Sequence, residues 1–376
     1  MKKSVSMIMA AAVTASLLLA GCGSGQTAAT TAAATTAAET TAAETTAAET
    51  TAAEAAEAET TVSESAAPQA LANSGDNCQA GVRIGSLKGP TSMGLVYLMD
   101  KAAKGETENH YEFTMTGAAD ELVGKIANGD LDIALVPANV ASVLYNKTKG
   151  YVTVLDINTL GVLYVVASDD SITSMADLKG KTVYMTGKGT TPEYVMNYLL
   201  AENGLASSDV DLQFKSEATE VASMLKENPE AIGVLPQPFV TAACIQNEAL
   251  KPVLDLTEQW NLLNAGSGSM LVTGVTLVRS DFLRENRDPV KMFLEDHKES
   301  TQYAVDHVDE TAELVAAAGI VEKAPIAKKA LPKCNIVCLT GEEMKSALSG
   351  YLNVLYEQDA KSVGGQLPGE DFYYIP

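Results

Sequence analysis

The chain has 376 residues, 48 of them Asp or Glu and 26 Lys or Arg, for a formal net charge of −22. With no basic stripe to hold phosphates, this balance excludes a nucleic-acid-binding role and leaves the acidity to serve solubility and keep copies apart. Cysteine use is sparse, at positions 22, 78, 244, 334 and 338.

The amino terminus carries an export address. Lys2 and Lys3 form a basic start ahead of an apolar stretch over residues 7–19. That stretch is shorter than the ~20 residues a membrane-spanning helix needs. It ends in Leu19, Ala20, Gly21 and Cys22, which resembles the lipobox of bacterial lipoproteins. The resemblance implies that residues 1–21 are a signal peptide and that Cys22 carries a diacylglycerol. Two acyl chains anchor a protein firmly where one holds it only marginally. Residues 22–76 follow as a Thr/Ala/Glu segment, with four perfect TTAAE pentads over residues 35–54. It has too little apolar surface to offset the entropy of ordering, and the paired threonines oppose the helix that Ala and Glu favour. It reads as a disordered tether, with transient helix and surface glycosylation as the alternatives.

From residue 77 onwards, strand and helix patterns alternate. Residues 82–86 read as a strand, then a Gly-Pro loop and a helix over 94–103. A second strand at 111–116 precedes a helix at 119–128, whose Leu122, Val123 and Ile126 share a face and which Gly129 closes. The run 133–136, bounded by Asp132 and Pro137, suits a strand covered on both faces, and Asn139 is placed to cap the next helix. After a long apolar run at 161–168, the alternation restarts with a strand at 182–186. Thr191, Pro192 and Glu193 have the chemistry of a helix start. Strands at 212–215 and 231–235 then alternate with helices at 219–226 and 239–246. Beyond an extended run at 272–279 the pattern turns helical, with a long helix from Asp288-Pro289 and a capping-box signature at Thr340 and Glu343.

Two α/β units followed by helices predict one lobe interrupted by another, with the runs at 161–168 and 272–279 as crossings. Residues 77–168 and 274–376 then form the first lobe and 169–273 the second. Ligands of such sheets bind beyond the carboxyl ends of the strands, where helix amino termini offer unpaired amides. The candidate contacts are Gly89, Pro90, Thr91 and Ser92 after the first strand, Thr116 and Gly117 after the second, and Asn139 after the third. The second lobe contributes Gly187, Gly189, Thr190 and Thr191, together with Gln237 held between two prolines. The 187–192 loop is not a P-loop, because it lacks the Gly-Lys-Ser/Thr ending.

The globular part resembles the type II periplasmic-binding-protein fold, and within it the nitrate/sulfonate/taurine and thiamine-precursor branch of ABC-importer substrate-binding proteins. The residues that carry the resemblance are Gly89-Pro90-Thr91-Ser92, the run DLDIALVP at 130–137, DLKGKTV at 177–183, and Gly364, Gly365, Leu367 and Pro368 near the end. The resemblance implies an α/β clamshell with two mostly parallel, helix-flanked sheets and two crossing segments as hinge. It also implies a lipid-anchored monomer on the extracytoplasmic, Gram-positive cell surface, which passes a small anionic or polar heterocyclic solute to ABC permease subunits. A sensory lipoprotein that signals occupancy to a membrane receptor is the alternative.

An enzyme reading has little support. The fold also occurs in a pyrimidine-forming family that depends on histidine and iron, yet His110, His297 and His307 lie outside the cleft loops. His297 falls near an apolar stripe and reads as a satisfied core histidine. No metal or nucleophile motif appears, so no catalytic residue, cofactor or metal is expected. Cys334 and Cys338 read equally as a disulfide or as two buried thiols.

Overall fold

The alternating pattern folds as two separate sheets. The computed structural model describes residues 81–376, so the expected signal peptide, lipidated Cys22 and tether lie outside the described residues. In chain order the strands are β1 (Gly81–Leu87), β2 (His110–Thr116), β3 (Ile133–Pro137), β4 (Val152–Leu160), β5 (Leu163–Ala167), β6 (Thr182–Met185), β7 (Asp211–Phe214), β8 (Ile232–Pro236), β9 (Lys251–Asp255), β10 (Val272–Arg279) and β11 (Ile336–Leu339). The first sheet has the order β11-β4-β10-β3-β1-β2 and the second β7-β6-β8-β5-β9.

Both sheets follow one plan. In the first, β1 lies between β2 and β3 and runs parallel to both. In the second, β6 lies in the same way between β7 and β8. Parallel neighbours need a crossover, and the helices Val96–Lys104, Ala119–Ala127, Thr191–Glu202 and Ala218–Glu227 supply them. The remaining strands run antiparallel to their neighbours: β10 to β3 and β4, β11 to β4, and β5 to β8 and β9. Each sheet is therefore mixed, a parallel core extended by antiparallel strands, where the alternation had suggested mostly parallel sheets.

The chain leaves the first sheet at the end of β4 and enters the second at β5, so residues 161–162 make the crossing. This lies ahead of the 168/169 boundary read from the sequence, because the apolar run there is itself a strand of the second sheet. Gly161 has no room for a side chain, since Thr257 and Leu271 occupy that space. The return crossing delivers the chain into β10, which pairs with β4.

The core runs through both sheets. Val154, Ile157 and Val275 of the first belong to one apolar cluster with Val165, Val183 and Val234 of the second. Helix Gly341–Gln358 joins them through Met344, Leu348, Tyr351, Leu352 and Leu355, all buried. The other face of the first sheet packs on Leu95, Leu98, Val290 and Phe293. Among the described residues, no helix is long and apolar enough to cross a membrane.

Two expected caps are not made. Helix Ala138–Thr148 has Pro137 at its cap position, which puts Asn139 inside the first turn. Thr340 does precede helix Gly341–Gln358, but its side chain makes no cap bond.

Polar side chains inside β4 are matched by one another. Asn158 Nδ2 donates to Thr276 Oγ1 at 3.1 Å, and Thr276 Oγ1 donates to Asp156 Oδ1 at 2.8 Å. Thr159 Oγ1 donates to Asn158 Oδ1 at 2.9 Å, and all four residues are buried. A satisfied chain of this kind lets Asp and Asn sit in a covered strand without the cost of stranded polar atoms. Beside it, a Cβ on Gly274 would lie 2.5 Å from Asn158 Oδ1 and 2.5 Å from Thr91 Cγ2. Gly274→Ala should therefore cost about 1–3 kcal/mol in urea unfolding, the usual range for overpacking. Gly117→Ala, with nothing within 4 Å of its Cβ, should stay within about 0.5 kcal/mol. Equal effects at the two positions would show that the crossing strands are not tightly packed there.

Candidate functional site

Crossovers leave β1 in one direction and arrive at β3 on its other side, and the same holds for β6 and β8. At such a switch point the loops diverge and leave a crevice beyond the carboxyl ends of the strands. The loops at these points follow β1, β3, β6 and β8, which are the segments the sequence had singled out. Thr116 ends the edge strand β2 and Gly117 follows it, one place further from the switch point.

On the first sheet, Pro90, Thr91 and Ser92 form a single helical turn after β1. Thr91 and Ser92 are buried, and both hydroxyls donate to the carbonyl of Leu87, Thr91 at 3.4 Å. Their protons are spent locally, which leaves their oxygens as acceptors. Gly89 is buried, yet nothing lies within 4 Å of where its Cβ would be. Thr116 spends its hydroxyl on the carbonyl of Ala118 at 3.0 Å.

On the second sheet, Gly187 and Gly189 have φ of 82° and 74°, a left-handed conformation that favours glycine. Thr190 Oγ1 donates to the Gly187 carbonyl at 2.8 Å, and the Gly189 amide donates to Glu193 Oε2 at 2.5 Å. Lys188 lies over the Phe214 ring, 5.8 Å from its centroid. Gln237 is buried, and its Oε1 accepts from Thr241 Oγ1 at 2.8 Å. It steadies its own helix as well as lying at the switch point.

The two sets of loops touch. Asn139 Nδ2 donates across the lobes to the Gly189 carbonyl at 3.4 Å and within its own lobe to the Ser362 carbonyl at 3.3 Å. Asn139 Oδ1 is buried and has no partner. Next to this bridge, Tyr351 donates to Thr191 Oγ1 at 3.3 Å from the carboxy-terminal helix. Burial holds the Tyr351 phenol well above its ordinary pKa, so it remains a neutral donor.

Sequence reasoning missed several neighbours of this bridge. Tyr351 packs against Trp260, which packs against Tyr198, with ring centroids 5.4 and 4.8 Å apart. Trp260 Nε1, Thr257 Oγ1 and Thr273 Oγ1 are buried without partners. Thr257 faces Gly161 and Thr273 adjoins Gly274, so these unspent polar atoms lie along the two crossings. The single tryptophan was the one available signal in the sequence, but it has no motif around it.

Charge is arranged by contrast at the other end of the first sheet. Arg83 binds Asp132 through two bonds, of 2.9 and 2.7 Å, and Arg279 lies 3.4 Å from the same carboxylate. Asp132 precedes β3, and Arg279 ends the antiparallel β10, so both belong to the amino ends of the parallel strands. Arg284 and Arg287 follow β10 and line a surface concavity with Thr153 and Tyr374 at that far end. These four are all the arginines of the chain, and none reaches the switch-point loops.

The cysteine alternatives resolve to free thiols. Cys334 donates to the Ala330 carbonyl at 3.2 Å, and burial pushes its pKa up to about 12. The expectation of a satisfied core histidine is half met: His297 Nδ1 lies 3.1 Å from Asp156 Oδ2, while Nε2 is buried without a partner.

The family model described as NMT1/THI5 like matches residues 121–311. Among solved structures, that of an ABC transporter from Parabacteroides distasonis is 23% identical over 80% of this chain and 99% of that one, with a TM-score of 0.65. The periplasmic aliphatic sulphonate binding protein SsuA from Escherichia coli is 15% identical over 78% and 96% of the two chains, with a TM-score of 0.62. A Candida albicans gene product described as having the generic periplasmic binding protein structural fold is 18% identical over 77% and 99%, at 0.51. No curated protein matches the chain. The fold is thus the periplasmic-binding-protein fold that the sequence motifs had suggested.

If Asn139 holds the lobes together, Asn139→Ala should open the solute-free protein. Small-angle scattering should then give a larger radius of gyration than for the parent chain. Identical scattering curves would mean that the bridge has no part in setting the lobe separation.

Proposed function

The chain belongs to the NMT1/THI5 like family, and from that premise we propose that it is a solute-binding protein that acts without chemistry. Its two lobes close on a small polar molecule, and the closed form hands it to ABC permease subunits in the same membrane. The observation that carries this reading is the Asn139–Gly189 bond, which brings the switch-point loops of the two sheets to one place. Gly89, Pro90, Thr91, Ser92, Asn139, Gly187, Gly189, Thr190 and Thr191 form the inner contact set, with Thr116, Gly117 and Gln237 at its margin. Closure requires a solute that prefers the closed state, since equal affinity for both states shifts nothing.

The solute class follows from what the loops have left to offer. The Escherichia coli neighbour is named for aliphatic sulphonates, and a relative from Xanthomonas axonopodis is an alkanesulfonate-binding protein bound to MOPS. In this chain every arginine lies at the far end of the first sheet, and the Gly189 amide is already taken by Glu193. Both features work against an oxyanion. The unspent groups nearby are neutral: Asn139 Oδ1, Thr257 Oγ1, Thr273 Oγ1 and Trp260 Nε1, beside the faces of Tyr198 and Tyr351. An uncharged polar heterocycle, able to pair with an amide oxygen and lie against a ring, fits this set better than a sulfonate.

The remaining features extend the same reading. Lipidation of Cys22 anchors a monomer on the outer face of the membrane, and the tether gives the lobes reach to the permease, tens of ångströms for a coil of that length. Thermal unfolding of the purified protein, stripped of bound solute, against pyrimidines, other heterocycles and sulfonates tests the central point. A heterocycle should raise stability by about 2.7 kcal/mol at a hundredfold excess over its dissociation constant. That gain should disappear in Asn139→Ala and Thr91→Ala. A response to sulfonates alone would overturn the solute class, and no response to any solute would overturn the binding role.

A further inference from the structure

A second polar site lies inside the first lobe, made of residues outside the switch-point loops. Strand β4 contributes Asp156, helix Arg287–Asp306 contributes His297, and the edge strand β11 contributes Cys338. One carboxylate oxygen, one imidazole nitrogen and the thiol sulfur all lie within 4.8 Å of one another. Asp156 and His297 are fully buried and Cys338 is partly so. We propose that these three residues bind a zinc-class divalent metal ion.

The donor types point to that class of ion. A thiolate and an imidazole suit zinc or cobalt, whereas calcium and magnesium take oxygen ligands. Charge gives a second argument. A carboxylate, a thiolate and a neutral imidazole together balance a divalent cation, so the filled site buries no net charge. The third argument is the histidine itself. Its Nδ1 lies 3.1 Å from Asp156 Oδ2, a separation that suits two ligand atoms on one ion, and its buried Nε2 has no partner.

The surroundings hold these donors in place. Thr276 Oγ1 donates to the other oxygen of Asp156 at 2.8 Å, and Asn158 in turn supports Thr276. Phe293 stacks on the His297 ring, with centroids 5.4 Å apart and planes 18° from parallel. Cys338 lies between the two places where β11 pairs with β4, Ile336↔Thr159 and Leu339↔Ile157, where the register is irregular. A water would complete four-coordination in the filled site. The bound ion ties the edge strand and the long helix to β4. The proposal is independent of the solute reading, because none of its ligands belongs to the loops at the switch points.

The test is a titration of the purified, chelator-stripped full chain with cobalt(II). One equivalent should produce a near-ultraviolet thiolate-to-cobalt band with visible four-coordinate bands, and zinc(II) should displace both. Cys338→Ser should remove the thiolate band, and His297→Gln should weaken binding at least tenfold. Cys334→Ser should leave the spectrum unchanged, because that thiol is bonded to the Ala330 carbonyl. If Cys338→Ser fails to fold, His297→Gln decides alone, with its fold checked by circular dichroism. Absence of the band in the folded parent protein, or a band that survives in both folded variants, would overturn the proposal.

Discussion

The antiparallel pairing of β4 with β10 is the constraint on which the rest of the structure depends. The chain leaves the first sheet through one of these strands and returns through the other, so their pairing ties the two crossings together. The pair is covered, and four of its buried polar side chains form a chain from Thr159 through Asn158 and Thr276 to Asp156. Gly274 lets Thr91 approach this chain closely, which sets the first switch-point loop directly against the hinge. A solute held at Thr91 would therefore press on the strands that govern lobe position. Under the proposed role, this arrangement would couple binding to closure through contact.

The first sheet separates its polar chemistry by end. At the amino ends of its parallel strands, Asp132 is buried between two guanidinium groups and behaves as structural cement. A buried carboxylate is tolerated there because it is paired and hydrogen-bonded on both oxygens. At the carboxyl ends the groups are amides, hydroxyls and phenols, several of them unspent. The division leaves the second end with the groups that the proposed neutral solute would use. Buried donors and acceptors without partners discriminate strongly, because the wrong molecule leaves them unsatisfied.

Much of this was readable from the residues. The runs at 133–137 and 232–236 are short, apolar and bounded as central strands should be, and Thr191-Pro192-Glu193 opens a helix where it was expected to. β4 escaped notice because its VTVLDINTL sequence carries Asp, Asn and Thr inside a covered strand. Those residues signal a loop unless their partners on β10 and the long helix are known, and the partners are distant in sequence. Asn139 illustrates the same limit. Its position before an apolar run looks like a cap, but Pro137 takes that place, and the amide is turned towards the other lobe. The histidine was read correctly as core, while its unpartnered nitrogen and its nearness to Cys338 depend on a fold that joins residues 156, 297 and 338. Periodicity locates strands and helices, but it carries no information about which polar atoms meet.

The central claim is that a neutral polar solute lies between the lobes at the switch points. A crystal structure of the protein with the solute that most raises its unfolding temperature tests this most directly. The account expects electron density for that solute bounded by Thr91, Asn139 and the 187–191 loop, with Asn139 Oδ1 accepting a hydrogen bond from it. Density in the concavity beside Arg284 and Arg287, with the space around Asn139 unchanged, would contradict it.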